Sequence, residues 1–487
     1  MSRTKNTIKN LMANFLNVLV TVLLSFIVRT IFIKTLGKDY LGLNGLFTNI
    51  LSILSLTELG IGTAISFRLY KPLANKDKKR ITVLMKFYKQ TYQIISLIIL
   101  ILGLLIMPFL DFFIKGSVDF INIYLVFSIY LLQTISSYMF FAYKSTLINA
   151  DQKEHITVKI GMSVDIVSSI IQIFSLLIYK NFIIYISLLI LFNIVKNFLI
   201  SLKVDKEYPF IKESIDEKLS LLELKDMFKD FGAIFLYKIN TVVLSATDNI
   251  IISAFLGITT VGLYSNYILI FNTLKKIINT FYNAVKASIG NLHATTNIKR
   301  EYMIFNVINL ITVILFGGAA IGIFVVSNAF ITIWIGDQYV ISKLFSFLLG
   351  IEFYLRGIQI FLSQFRTSMG LFQQAKYRPL FSILINLAIS LLLVQFIDIY
   401  GVLIGTIIAI VTTSMWYDPI IIHKYGFGLS SRKYFLKNIY YVFVVIVAGG
   451  VSSFFVNMII VENILLLVVA IFICILVSLV TFLIFFI

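Results

Sequence analysis

Ser265, Asn272, Lys276, Asn279, Asn283 and Lys286 recur at helical spacing through an apolar run, residues 259–289, that is long enough to cross a bilayer. At 100° per residue they share one face about 80° wide. An ammonium flanked by carboxamides suits an oxyanion with hydroxyl-rich neighbours, because the charge holds the anion and the amides replace its water. Lys275 stands about 100° round the helix from Lys276, so one lysine lines the face while the other packs or anchors.

Three more runs carry such stripes. One holds Asn10, Asn14, Asn17, Thr21 and Ser25, with Arg29 at its edge. Another holds Asn44, Thr48, Ser52, Ser55, Glu58, Gly62 and Ser66, and the last holds Lys238, Thr241, Ser245 and Asp248. A lysine facing lipid at mid-span is disfavoured by about 3 kcal/mol, so these faces look onto protein or water. One shared polar cavity is the economical reading. Its candidate ligand-binding residues are Arg29, Lys238, Asn272, Lys275, Lys276, Asn279 and Asn283. Glu58 and Asp248 are the ion-coupling candidates, since a carboxylate near lysines alternates between pairing with them and binding a cation.

Each candidate has a plainer role open to it. Arg29 lies within about two turns of a span's end and has the reach to snorkel. Asp248 can pair with a lysine and do no more. Glu352 and Arg356, at i and i+4, neutralise each other as a structural pair, and Asp165 takes no assignment. No Gly-x4-Gly-Lys-Ser/Thr loop is present, so no nucleotide is hydrolysed by that route. His155, His293 and His423 lack ligand spacing, so no metal, catalytic residue or cofactor is expected.

The elements that position these residues are spans. Apolar segments of membrane length fall near 11–33, 43–66, 87–110, 118–142, 162–180, 182–203, 231–256, 259–289, 303–326, 338–365, 380–397, 400–423, 437–461 and 463–487. The bilayer leaves each backbone group to be satisfied within its own segment, which predicts an all-α integral membrane protein of about 14 helices. The chain is 59% hydrophobic and 13% charged, and five prolines in 487 residues leave long helices intact. A net charge of +18 would suggest nucleic acid for a soluble protein; here the charge lies between spans, so no nucleic-acid partner is expected.

Counted from a cytoplasmic N-terminus, most of the 41 basic residues face the cytoplasm, and the other side holds only Lys34, Lys38, Lys115, Lys180 and Lys343. That bias predicts both termini inside. The run after Arg3, Lys5 and Lys9 is too long for a signal-peptide core and reads as the first helix. Cys474 is the single cysteine, so no disulfide framework exists. Outer connections are too short for an outward catalytic domain. The charged 204–230 segment ends in Leu221, Leu224, Phe228 and Phe231 at helical spacing, and is either a membrane-surface segment or a solvated linker.

Sliding the chain by 220 positions brings Phe15-Leu16 onto Phe235-Leu236, and Thr21, Val22, Leu24 and Ser25 onto Thr241, Val242, Leu244 and Ser245. Leu36-Gly37 then meets Leu256-Gly257, and Gly42-Leu43 meets Gly262-Leu263. This is an internal repeat. An offset of six helices keeps both copies in one orientation, the parallel repeat of transporters. The expected organisation is an N-lobe over 1–205 (helices 1–6), a cytoplasmic linker over 206–230, a C-lobe over 231–430 (helices 7–12), and helices 13–14 over 431–487. The two six-helix lobes would enclose a central cavity.

Lys34-Thr-Leu-Gly-Lys-Asp-Tyr-Leu-Gly-Leu and Leu56-Thr-Glu-Leu-Gly-Ile-Gly-Thr-Ala, with 12+2 helices and a basic cytoplasmic face, resemble the bacterial polysaccharide-repeat-unit (O-antigen and capsule type) flippases. These belong to the multidrug/oligosaccharidyl-lipid/polysaccharide exporter superfamily, and the resemblance spans the chain, most clearly its first 110 residues. It implies a bacterial plasma-membrane flippase, not an enzyme, that moves an undecaprenyl-diphosphate-linked oligosaccharide to the outer leaflet by alternating access. It implies a cavity lined by the first, second, seventh and eighth helices. The implied partners are the lipid-linked oligosaccharide, membrane lipids, and a polysaccharide polymerase with its export machinery. A peptidoglycan-precursor flippase shares this fold. A cation-coupled drug exporter would favour an acidic, apolar cavity, against the lysines and arginines above. A membrane-embedded glycan polymerase or ligase would need a large outer loop or an intramembrane His or Asp cluster, which the sequence lacks.

Overall fold

Long apolar runs leave the backbone one way to satisfy its polar groups, and every regular element among the described residues is helical. The computed structural model describes residues 3–486 apart from 59, 60, 117, 214–216, 218, 296 and 372; the side chains of 3–5, 7, 8, 57, 228–234, 236–238, 240, 241, 281, 283–295 and 373 are also outside the description. The chain forms two compact units, Met1–Thr259 and Thr260–Ile487. The first holds α1 (Arg3–Leu36), α2 (Lys38–Leu54), α3 (Ile61–Asn75), α4 (Lys78–Ile106), α5 (Ile123–Met139), α6 (Tyr143–Ala150), α7 (Glu154–Tyr179), α8 (Phe182–Glu207) and α9 (Leu221–Leu256). Helix α10 (Ile258–Thr295) starts in the first unit and continues in the second. That unit also holds α11 (Ile298–Ile335), α12 (Lys343–Ser368), α13 (Arg378–Thr412), α14 (Ser414–Ile421), α15 (Arg432–Asn457) and α16 (Ile464–Phe486).

Among the described residues nine helices have the length and hydropathy to cross a membrane, and α5 with α6, bent by 44°, makes a tenth. Two of the fourteen expected spans, 380–397 and 400–423, lie within one of those nine and form an antiparallel hairpin. The chain turns at Ile397 and Asp398, where φ is +51°. Small residues let the arms approach: Asn386 Nδ2 donates to Thr406 Oγ1 at 2.9 Å, and a Cβ on Gly401 would lie 2.4 Å from the Leu393 carbonyl carbon.

The second span departs from the continuous helix expected over 43–66. Helix α2 stops at Leu54, a 3₁₀ turn covers Ser55–Glu58, and α3 starts at Ile61. Ser55 Oγ donates to the Leu51 carbonyl at 2.8 Å, the local competition by which hydroxyl residues weaken a helix ladder. One polar stripe thus becomes two segments, and Glu58 sits at the break.

The 220-residue repeat is written into the backbone. Helices start at Lys38 and Ile258, at Lys78 and Ile298, and at Ile123 and Lys343. Gly37 and Gly257, each just before a helix, have φ of +88° and +87°, a conformation open to glycine. Gly116 and Gly336 repeat the device at +90° and +106°. Thr259 Oγ1 donates to Asp39 Oδ1 at 2.6 Å, so two repeat-equivalent residues bond to each other. Beside them a Cβ on Gly42 would fall 1.9 Å from the Ile258 carbonyl oxygen, a contact only glycine permits.

Some basic residues that read as loop charge are buried and paired. Arg366 Nη1 lies 2.8 Å and Arg378 Nε 3.4 Å from Oδ1 of Asp418, which is 0% exposed. This triad ties α12 and α13 to α14. Lys144 Nζ lies 2.5 Å from Asp205 Oδ1 and 2.8 Å from Ser201 Oγ. The 204–230 segment contacts the start of α4 at two points. Thr82 Oγ1 donates to the Phe210 carbonyl at 3.3 Å, Lys78 Nζ lies 5.8 Å from the Phe210 ring centroid, and Arg80 pairs with Glu223.

Candidate binding and coupling sites

Helix α10 has three faces, each set by its own spacing. Tyr264, Tyr267 and Phe271 anchor it to α12: Tyr264 and Tyr267 lie edge-on to Phe345 at 6.0 and 4.9 Å, and Phe271 to Phe353 at 4.9 Å. Tyr267 also donates its hydroxyl to Asn328 Oδ1 at 2.7 Å. That anchoring turns Asn272 and Lys276 outward, where both are exposed, with Asn279 half-buried beside them. The side chains of Asn283 and Lys238 fall outside the described residues.

Lys275 points elsewhere. It is half-buried near Glu352 and Arg356 of α12, whose side chains meet at 2.6 Å with Glu352 only 2% exposed. The i, i+4 pair read from the sequence is therefore a buried ion pair, and Lys275 packs beside it.

A groove of about 380 Å³ runs along the far side of α10, between it, α11 and α16. Ile270, Leu274 and Ile277 form its α10 wall, and Gly318, Gly322 and Ile471 lie across from them. Its α10 residues repeat the spacing of 272, 276 and 279 two positions earlier, which puts groove and polar face about 160° apart round the helix. One helix thus offers cation and amides on one side and a hydrocarbon trough on the other.

In the first unit, Glu58 is surrounded by phenols. Tyr92 donates its hydroxyl to Glu58 Oε1 at 3.1 Å, and Tyr88 donates to Tyr92 at 2.8 Å. The Tyr88 hydroxyl also lies 3.2 Å from Thr146 Oγ1, and Tyr138 sits near Ser55 and Glu58. Gly62 closes the site, for a Cβ there would lie 2.8 Å from the Tyr88 hydroxyl and 3.3 Å from Glu58 Oε1. A carboxylate and phenolic hydroxyls thus meet at a helix break. The phenols were missed from sequence, although Tyr88 and Tyr92 are spaced i, i+4 in one span.

Arg29 is half-buried in the first unit, near Tyr130 of α5 and Tyr185 of α8. Asp248 is buried in α9 at 2% exposure. Asn10 belongs to a different contact: its Oδ1 accepts from the His155 backbone N–H at 2.8 Å, and its Nδ2 donates to the Gln152 carbonyl at 3.0 Å. The α2 stripe of Asn44, Thr48, Ser52 and Ser55 faces α5 and α8. Asn10, Arg29 and the stripe from Asn44 to Ser55 thus look onto neighbours within the first unit.

No protein-family model and no curated protein matches the sequence. Solved structures do match the fold. The lipid II flippase MurJ in an inward closed conformation aligns with a TM-score of 0.64 at 18% identity, covering 96% of this chain and 97% of its own. An inward-facing multidrug resistance MATE family transporter of the MOP superfamily aligns at 0.62 and 14% identity, covering 85% and 98%. The MATE multidrug transporter DinF-BH aligns at 0.63 and 16% identity, covering 88% and 96%. The chain shares the fold of these membrane transporters.

Proposed function

We propose that this protein is a flippase for an anionic, polyprenyl-linked glycan, of the undecaprenyl-diphosphate oligosaccharide class, working by alternating access in a bacterial plasma membrane with both termini in the cytoplasm. The observation that carries the reading is α10: Lys276 with Asn272 and Asn279 on one side, and the apolar groove of α10, α11 and α16 on the other. An amphiphile with an anionic head and a long hydrocarbon tail matches both faces at once. Lys276 holds the diphosphate by charge, the amides replace water around it, and the groove covers prenyl units. Lys238 and Asn283 stay candidates by their spacing in the sequence, and Arg29 adds positive charge in the first unit. Glu58, with its tyrosines, is the coupling carboxylate favoured over Asp248, because it sits at a break that can bend.

Coverage of both chains almost end to end by the lipid II flippase supports a lipid-linked cargo over a drug, and favours one second reading, a peptidoglycan-precursor flippase. The lipid-linked sugar that accumulates when the gene is deleted separates the two.

Lys276→Ala should abolish export at normal protein level, since removing an intramembrane charge does not penalise insertion. Lys276→Arg should retain part of it, as charge survives but geometry changes. Surface glycan and inner-leaflet precursor are measured together. Normal surface glycan in a Lys276→Ala, Arg29→Ala double mutant would overturn the anion-binding reading.

A further inference from the structure

We infer that a pocket inside the first unit, between α2, α5 and α8, binds one sugar ring of the carried glycan. This rests on the flippase reading and adds to it a recognition site for the neutral part of the cargo. The pocket encloses about 320 Å³, at the small end for ligand sites, which suits a single ring and its water and excludes a whole repeat unit.

Its chemistry is uniform. Asn44, Thr48 and Ser52 form the α2 wall, and Ser55 of the 3₁₀ turn continues it. Gln133, Thr134 and Ser137 come from α5, and Asn193 from α8. Among the described residues no carboxylate, ammonium or guanidinium lines it, so neither a cation nor a phosphate is its natural guest. Uncharged amides and hydroxyls on three converging helices match a polyhydroxylated, uncharged ligand.

The hydrogen-bond inventory sharpens the match. Thr134 and Ser137 donate to carbonyls of their own helix, at 3.0 and 2.6 Å, and so present lone pairs to the pocket. Asn44 Oδ1 accepts from the Tyr130 hydroxyl, which leaves its NH₂ as a donor. The side chains of Thr48, Ser52 and Gln133 make no hydrogen bond with any described residue. Thr48 is exposed and Ser52 and Gln133 are half-buried, so a guest in the pocket can reach all three. Sugar hydroxyls both donate and accept, so the mixed lining serves them. Leu51 and Leu189 supply apolar wall for a ring's C–H face.

The test uses the full-length protein in nanodiscs and four probes: undecaprenyl diphosphate alone, and the same lipid carrying one glucose, galactose or N-acetylglucosamine. Wild type should bind at least one sugar-bearing probe about fivefold to tenfold tighter than the bare lipid, the equivalent of one net hydrogen bond. A Thr48→Val, Gln133→Leu double variant should lose that increment while keeping bare-lipid affinity and melting temperature. Should that variant lose bare-lipid binding through misfolding, Ser52→Ala with Asn193→Leu is measured in its place and must show the same selective loss. Equal wild-type affinity for all four probes, or an increment that survives in the folded variant, overturns the sugar subsite and leaves the flippase reading standing. Failure of wild type to bind any probe overturns both.

Discussion

Charge inside a membrane protein acts through its partners, and the ionisable residues here divide accordingly. Glu352 and Arg356 satisfy each other at 2.6 Å and hold α12 together, whereas Glu58 has a phenol on Oε1 and sits where a helix stops. A carboxylate that accepts from a tyrosine at a helix break can exchange a proton with little rearrangement. Glu58→Gln should therefore leave protein level near wild type and remove the dependence of flipping on the ion gradient. Tyr92→Phe should weaken that dependence less, because only one hydrogen bond to the carboxylate is lost. Flipping of a lipid-linked saccharide into proteoliposomes, with and without an imposed proton or sodium gradient, reads both. An unchanged gradient response in Glu58→Gln would move coupling to Asp248 or elsewhere.

At the scale of elements, helix ends decide where the chain may move. Helix α9 begins with a capping box: the Ser220 hydroxyl accepts from the Glu223 N–H at 3.2 Å, and the Glu223 carboxylate accepts from the Ser220 N–H at 2.9 Å. The same carboxylate pairs with Arg80 at the start of α4. The Ser220 N–H first, and then Arg80, hold the Glu223 carboxyl below its ordinary value. A carboxyl lowered by folding contributes stability that is complete above its unfolded pKa and is lost as pH falls through the folded one. The start of α9 should therefore loosen below the normal carboxylate range and stay closed above it. Amide hydrogen exchange over 220–226, corrected for intrinsic rate, should rise on acidification in wild type. In Glu223→Gln it should be raised already and respond far less to pH.

For the whole molecule, the proposed orientation puts the basic residues on the cytoplasmic side. A Cys at Lys212 should resist a membrane-impermeant reagent added to intact cells, while one at Lys38 or Lys115 should react. Lys212 is 3.1 Å from Asp205, which also pairs with Lys144, so it belongs with the basic helix ends by contact as well as by composition. Labelling at Lys212 from outside would reverse the orientation and with it the direction of transport.

Sequence alone determined what is local or periodic. Hydropathy marked the apolar runs, because a bilayer imposes a minimum length on any segment that crosses it. The 220-residue offset predicted repeated local structure, and the paired positive-φ glycines at 37 and 257 and at 116 and 336 carry it. The α10 stripe was legible because 100° per residue converts spacing into a face. Ser220 and Glu223 spell a capping box that was equally open to view. Tertiary structure decided what each face meets. Spacing places Arg29, Lys275 and the α2 stripe at an angle on their own helices, but it carries nothing about which neighbour occupies that angle. Packing sent Arg29 to Tyr130 and Tyr185, Lys275 to the α12 ion pair, and Asn44, Thr48, Ser52 and Ser55 to α5 and α8. It also brought Arg366 to Asp418, 52 residues further on, and Arg378 to Ser414, 36 residues further on. Partners that far apart along a chain meet only once the helices between them have packed, because their direction is a property of the bundle and not of any one segment.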